Sequence, residues 1–258
     1  MASLKDKVAL VTGATSGIGR GIADYFASLG ALVAIHGRDQ GLGTEVVENL
    51  RSNGHDAMFV TGDLKDVQDC RRVVQSAIEW QGGVDVLVNN AAMTSRSYLE
   101  SASVELWDDI MAVNLRAPFV CLQEAVKSMK TRGGGSIVNI GSINAYIDAP
   151  KLGPYSVSKG SLMTMTRNAA SALKQYRIRV NQLNVGWTLT EGEDRVQRRD
   201  GKTEDWLAEA VATRPFGRLL TPQDIAIAAA YFASDDAALI TGAVLDLEQE
   251  PLGAPADF

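Results

Sequence analysis

The chain of 258 residues is short of the side chains that staple small folds or bind metals. It has two cysteines, Cys70 and Cys121, and two histidines, His36 and His55. Neither cysteine lies in a metal or redox spacing, and both fall in segments with helical periodicity. Reduced thiols in a cytoplasmic protein are expected, not a disulfide framework. The histidines are too isolated for a metal cluster. Positive charge is in deficit as well: 25 Lys and Arg face 31 Asp and Glu, for a net charge of -6. That argues against nucleic acid or an anionic membrane as a general partner. A local phosphate site stays open to the chain, because it needs only backbone amides and one or two cations. No run approaches the roughly 18 apolar residues of a membrane span. MASLKDKVALVTG has no long apolar stretch before its first glycine, so no signal peptide is expected. The apolar residues, 46% of the chain, must go into core and interface.

What the chain does have is rhythm. Apolar runs at 8–12, 32–35, 58–60, 86–89, 136–140, 179–183 and 243–247 alternate with amphipathic stretches. After Gly13, the residues Ile18, Ile22, Tyr25, Phe26 and Leu29 recur at helical spacing, and Gly30 ends that helix. A polar helix is expected over about 44–52. Runs this apolar, separated by helices, imply parallel strands buried on both faces. Right-handed crossovers then give an α/β fold: a single Rossmann-type, doubly wound parallel sheet with helices on both faces. No linker, repeat or low-complexity tract interrupts it, so residues 1–258 read as one dinucleotide-binding and catalytic domain. Two segments break the rhythm. Residues 188–213, with EGEDRVQRRDGK at their centre, are expected to be a long irregular insertion serving as a substrate lid. The tail at 248–258, with Pro251, Gly253 and Pro255, is expected to be extended, its end against a neighbouring subunit.

The first apolar run leads into TGATSGIG at 12–19 and then into a helix. Gly13 suits a tight turn, Gly17 a close approach to phosphate, and Gly19 close packing of helix on strand. With Thr15, Ser16 and Ile18 they offer helix-start N–H groups to the pyrophosphate of a dinucleotide. The spacing is G-x-x-x-G-x-G, not G-x-G-x-x-G. The second run ends in His36-Gly37-Arg38, with no carboxylate before Asp39. An acid there would bind the adenosine ribose hydroxyls and repel a 2′-phosphate. Arg38 can instead pair with that phosphate. NADP is therefore the preferred cofactor, with NAD still possible. Asp63-Leu64 follows the third run and Asn89-Asn90-Ala91-Ala92 ends the fourth. Both stand at carboxyl ends of strands, where open α/β sheets bind ligands.

Ser142 comes just past the run at 136–140, and Tyr155 and Lys159 follow. If Pro154 starts a helix, the four-residue step puts Tyr155 and Lys159 on one face. A free phenol, with a pKa of about 10, exchanges protons poorly at neutral pH. A cation beside it favours the phenolate and lowers that value. Tyr155 could then give a proton to a carbonyl oxygen or take one from an alcohol, while Ser142 holds the same oxygen.

Together with Asn114 and NVGWTLT at 184–190, these motifs resemble the short-chain dehydrogenase/reductase family over essentially the whole chain. The resemblance implies an NAD(P)-dependent oxidoreductase acting on CH–OH groups. Tyr155 would be the acid/base, and Lys159 would tune it and hold the nicotinamide ribose. Ser142 would orient the substrate oxygen, and Asn114 would hold a water of a proton relay. Asp63 and Leu64 would meet the adenine. Asn90, with Ala91 after it, would meet the ribose region. Thr188 and Thr190, past Gly186, would lie near the nicotinamide amide. A homotetramer is implied too. The chain departs from the family's usual pattern at three places: Ala92 stands for a glycine, Val185 for a proline, and Leu247-Glu248-Gln249 for Asp-Gly-Gly at the end of the last strand. The substrate pocket is expected between 142–151, 93–98 and 188–213, offering Asn144, Tyr146, Arg96 and Trp187. Such a mix suits a sugar, polyol or hydroxy acid. A 3-oxoacyl-thioester reductase is the alternative enzyme, and a dinucleotide-sensing scaffold the alternative without catalysis. A sensor, however, has no need of a matched proton-transfer group.

Overall fold

The computed structural model describes residues 2–146 and 149–250. Its centre is a seven-stranded sheet with every pair parallel. In chain order the strands are β1 (Val8–Val11), β2 (Leu32–Gly37), β3 (Ala57–Thr61), β4 (Val86–Asn89), β5 (Gly135–Ser142), β6 (Ile178–Val185) and β7 (Val244–Leu247). In space the order is β3-β2-β1-β4-β5-β6-β7. The chain thus winds outward from β1 to β3, returns across β1 to β4, and winds out the other way. Expected and observed strands agree to within three residues at each end. All seven occur where apolar runs predicted them.

The helices are α1 (Gly17–Ser28), α2 (Gln40–Ser52), α3 (Val67–Gln81), α4 (Val104–Met111), α5 (Ala117–Thr131), α6 (Gly153–Leu173), α7 (Glu191–Arg199), α8 (Trp206–Ala212) and α9 (Pro222–Ala233). The pleat of β1 shows why both sheet faces are apolar. Ala9 and Val11 point into a core with α1, α2 and α9, while Val8 and Leu10 point into a second core with α3 and α5. Phe26 and Ile22 of α1 are fully buried in the first. Cys70 of α3 and Cys121 of α5 are free thiols buried in the second, as their helical periodicity suggested. Among the described residues no helix is long and apolar enough to cross a membrane, and no group of acidic, His or Cys side chains could hold a metal ion.

The segment at 188–213 is not irregular: it contains α7 and α8. Thr190 caps α7, its Oγ1 accepting the Glu193 N–H at 3.0 Å. Glu191, Glu193 and Asp194 sit in its first turn and Arg198 and Arg199 in its last. These charges complement the helix dipole. A helix with so few apolar residues hides from a search based on hydrophobic period. The tail is described only as far as Glu250, and Pro251, Gly253 and Pro255 lie outside the described residues.

Candidate active site

Strand order reverses between β1 and β4, and the carboxyl ends of these strands open a crevice there. Two adjoining cavities, of about 580 and about 600 Å³, share Asn90, Ala92, Thr94 and Val196 and form one groove.

The first cavity is lined by Gly13, Thr15, Ser16, Arg38, Asp63, Leu64, Asn90 and Ala91. All are residues expected to meet the cofactor. Gly13 (φ 63°) and Gly17 (φ 55°) occupy the left-handed region that favours glycine. Gly19 has no room for a Cβ, which would overlap the Gly13 carbonyl oxygen and the Asn90 amide nitrogen. The first turn of α1 carries no acidic residue, and Ser16 makes no side-chain cap. Its leading N–H groups have no carbonyl one turn earlier to bond. The turn therefore has the shape, the uncapped donors and the lack of negative charge that a dinucleotide pyrophosphate requires.

Three side chains fix this turn. Asn90 donates to the carbonyls of Thr12 (2.9 Å) and Gly13 (3.0 Å). Its amide is thus committed to the turn rather than offered to a ribose. Thr12 donates its hydroxyl to the Val88 carbonyl at 3.2 Å and accepts the N–H groups of Asn90 and Ala91 at 3.0 and 3.1 Å. His36 accepts the Gly13 N–H at Nδ1 (3.2 Å) and faces the Gly62 carbonyl with Nε2 at 3.1 Å. Those partners assign a neutral ring protonated at Nε2. Burial lowers the His36 pKa, which favours the same form. Thr12 and His36 escape sequence reasoning, because their partners are brought in by the fold.

At the adenosine end, Asp39 caps α2, its Oδ1 accepting the Leu42 N–H at 3.0 Å. It forms no ion pair with Arg38 among the described residues. Two cations not foreseen line the same cavity, Lys65 and Arg199 of α7.

The second cavity collects Ser142, Tyr155, Lys159, Ile18, Gly186, Thr188 and Thr190. Pro154 lies in the first turn of α6, and Tyr155 and Lys159 follow on one face. Ser142, the last residue of β5, stands beside Tyr155, and its hydroxyl accepts the Asn144 N–H at 3.2 Å. Burial pushes the Tyr155 phenol up, and the neighbouring Ser142 hydroxyl partly offsets it. Lys159 is 3% exposed, and burial pulls its pKa down from 10.5 to about 8. Its ammonium donates to the Ile140 carbonyl at 2.7 Å and stands 5.6 Å from the Tyr155 ring centre. The expected lowering of the Tyr155 pKa by Lys159 is not seen in this arrangement. Desolvation of the phenol prevails while the ammonium is turned to the β5 backbone.

Asn114 lines neither cavity. It lies in a π-helical turn, Ala112–Arg116, between α4 and α5 and is fully buried. Its Nδ2 donates to the Met93 carbonyl and the Ser158 hydroxyl, both at 3.0 Å, and its Oδ1 accepts the Met93 N–H at 2.7 Å. The side chain therefore ties the loop after β4 to α6. Arg96, Asn144 and Trp187 line the second cavity as expected, but Tyr146 does not. Tyr146 lines a separate cavity with Ser156, Val157 and Ser161 instead. Residues 147 and 148 of the expected pocket wall lie outside the described residues.

The roof is α7. Trp187 and Gln197 both donate to Glu193 Oε1, at 2.9 and 2.6 Å. Arg96, on the opposite wall, pairs with Asp200 and approaches Glu193 at 3.8 Å. Trp206 donates to Asp194 at 2.8 Å and stacks on Trp187 with ring centres 6.2 Å apart. Two further charged residues, Arg214 and Glu248, reach this cavity.

A family profile described as enoyl-(acyl carrier protein) reductase matches residues 13–248. An uncharacterised oxidoreductase of Thermotoga maritima is 37% identical over 246 residues, covering 95% of this chain and 97% of that protein. The NADP-dependent (R)-specific alcohol dehydrogenase of Lentilactobacillus kefiri is 36% identical over 244 residues, covering 93% of this chain and 94% of that one. A solved structure from Beutenbergia cavernae, provisionally assigned as an NAD(P)-dependent gluconate 5-dehydrogenase and holding NADP at low occupancy, superposes with a TM-score of 0.87. It is 34% identical and covers 96% of this chain and 97% of its own.

Proposed function

The chain belongs to the short-chain dehydrogenase/reductase family, as an NAD(P)-dependent oxidoreductase of carbonyl/alcohol pairs, and we propose that it uses NADP(H) on a small polar substrate such as a sugar, polyol or hydroxy acid. One observation carries the reading. Ser142, Tyr155 and Lys159 converge in a cavity continuous with the glycine-turn cavity.

A nicotinamide held beside Gly186, Thr188 and Thr190 would supply the hydride in reduction and accept it in oxidation. The chain's own residues handle the proton. In the reductive direction Tyr155 Oη donates a proton to the carbonyl oxygen as charge develops there, and in oxidation it removes the alcohol proton. Ser142 holds that oxygen in place beside the phenol. Lys159, 5.6 Å from the Tyr155 ring centre, would favour the phenolate formed after donation once its ammonium turns from the Ile140 carbonyl toward the phenol. Asn114 keeps the loop after β4 seated on α6, which makes it a positioning residue. Helices α7 and α8 form the lid and exclude water from the transfer. The preference for NADP rests on Arg38, Lys65 and Arg199 around the adenosine end and on the commitment of Asp39 to capping α2. The chain is read as a cytoplasmic protein. Apolar side chains exposed on two faces, Phe119 on α5 and Ile227 with Tyr231 on α9, support a homo-oligomer, read as a tetramer. Sedimentation equilibrium giving the mass of one chain would overturn that assembly.

Tyr155→Phe tests the central role. The variant is expected to bind NADPH with unchanged affinity and to lose turnover by about 10²–10⁴-fold. Unchanged turnover removes Tyr155 from the mechanism. Arg38→Asp tests the cofactor, with an expected reversal of the NADPH-over-NADH affinity ratio. An unaltered ratio rejects the role of Arg38.

A further inference from the structure

The second cavity holds three cations, and they differ in how far they are already neutralised. Lys159 is committed to the Ile140 carbonyl. Arg96 is matched by one lid carboxylate, Asp200, in direct hydrogen-bond contact, with Glu193 farther off at 3.8 Å. Arg214 is not matched in this way. Among the described residues its nearest carboxylate, Glu250, is 3.8 Å away and more than half exposed, beyond hydrogen-bond reach. Among the described residues its other polar contact is the Thr213 hydroxyl, at 3.2 Å from Nε and 3.1 Å from Nη2. Yet the side chain is only 20% exposed and lies against Trp187, its guanidinium carbon 5.8 Å from the ring centre. The ring limits where the guanidinium can go and keeps water from one of its faces. Glu248 in the same cavity forms no ion pair with Arg214 among the described residues. Its carboxylate lies against the Gly186 backbone and accepts the Gln249 N–H at 2.6 Å.

A guanidinium held by an indole, half enclosed and short of a carboxylate, suits a planar anion that takes two parallel hydrogen bonds. We propose that Arg214 binds the carboxylate of the substrate, and that the substrate is accordingly a small hydroxy acid in one direction and the matching keto acid in the other. The inference rests on the oxidoreductase reading of this cavity and narrows it. Ser142 and Tyr155 take the reacting oxygen, Arg214 takes the carboxylate, and Asn144 and Gln197 are left to receive further hydroxyls. The site thereby selects against neutral polyols, which would leave Arg214 without a counter-charge.

The test uses the full chain saturated with NADP and matched substrates: gluconate against glucitol, and 3-hydroxybutyrate against 1,3-butanediol. Turnover is followed by absorbance of the reduced cofactor, and binding by quenching of tryptophan fluorescence. At least one acid should exceed its neutral counterpart about 10-fold in kcat/KM. Arg214→Gln should raise KM for that acid about 10- to 100-fold, the loss of a charge-assisted pair. It should leave kcat, the NADPH affinity and the neutral compound's KM within about 3-fold, and Arg214→Lys should recover part of the loss. Equal weakening of acid and neutral compound in Arg214→Gln would mean that the side chain only packs on Trp187, and would overturn the proposal. So would turnover of neutral compounds with neither binding nor turnover of acids, an outcome that leaves the oxidoreductase reading standing. Acid binding that depends on Arg214, without any turnover, would uphold the carboxylate site and reject the hydride-transfer reading instead.

Discussion

The phosphate end of the groove is closed by main-chain groups and short side chains, and the substrate end by long charged ones. At the phosphate end, Thr12, His36 and Asn90 each bond the backbone of the 12–13 turn or of a neighbouring strand end. None of these three side chains has rotamer freedom to spare. At the substrate end, Glu193, Asp200, Arg96 and Gln197 satisfy one another across the mouth, and several of those atoms are partly exposed. Exposed pairs contribute little and rearrange readily. The first construction suits an invariant ligand and the second a ligand that has to enter and leave. The two ends should therefore respond differently to small changes.

The largest effect is expected at Gly19. A methyl there meets the Gly13 carbonyl and the Asn90 amide, and neither is the free end of a flexible chain. Relief requires moving the turn itself, and overpacking of this kind costs about 1–3 kcal/mol or more. Gly19→Ala should lower NADPH affinity at least about 100-fold by calorimetric titration. Retention of wild-type affinity would show that the turn is softer than its hydrogen bonds suggest.

Lys159 lines the second cavity beside Ser142 and Tyr155, and its substitution separates activity from stability. The unfolded chain carries this lysine with its ordinary pKa of 10.5, and the folded chain at about 8. Between those values the unfolded state binds the extra proton. Stability therefore rises as pH climbs from about 8 to about 10.5, and below pH 8 the whole penalty, on the order of 3 kcal/mol, is present. Lys159→Met should abolish most turnover, by about 100-fold or more. At pH 7 it should also raise Tm by about 2–5 °C, part of the gain being offset by the unpaired Ile140 carbonyl. The gain should shrink at pH 10. Melts that show equal destabilisation at both pH values would make the lysine a net stabiliser through its bond to Ile140. Reductive turnover by the unaltered chain should also decline above about pH 8, as the ammonium is lost.

The same contrast explains what the sequence discloses. The strands, the glycine turn and the Tyr155–Lys159 step depend on local period and local backbone needs, which are written in neighbouring residues. Arg38, Asp63 and Ser142 lie at strand ends, and a parallel sheet brings all its strand ends to one edge, so their convergence follows from topology. The commitments of Asn114 to Met93 and Ser158, of His36 to Gly13 and Gly62, and of Lys159 to Ile140 are made across long sequence separations. Composition carries no trace of them. Helix α7 is an intermediate case. Its apolar period is weak, but Thr190 with Glu193 three residues on, acids first and bases last, is a readable start and stop.

The smallest effect is expected on the lid, and it is the sharpest test of the contrast. Glu193→Gln keeps a side-chain carbonyl able to accept from Trp187 and Gln197, so the hydrogen bonds that seat α7 survive. Only the charge opposite Arg96 is lost, across 3.8 Å. A partly exposed pair of that kind is worth about 0.2–1 kcal/mol. KM for the substrate should thus rise by at most about 5-fold, with NADPH affinity within about 2-fold of the parent. Asp200 keeps Arg96 in place on the far side of the mouth, which limits the loss further. An effect as large as that of Gly19→Ala, measured by steady-state kinetics beside cofactor titration, would mean that the lid ion pairs hold the cofactor end as well. The two ends of the groove would then be one cooperative unit.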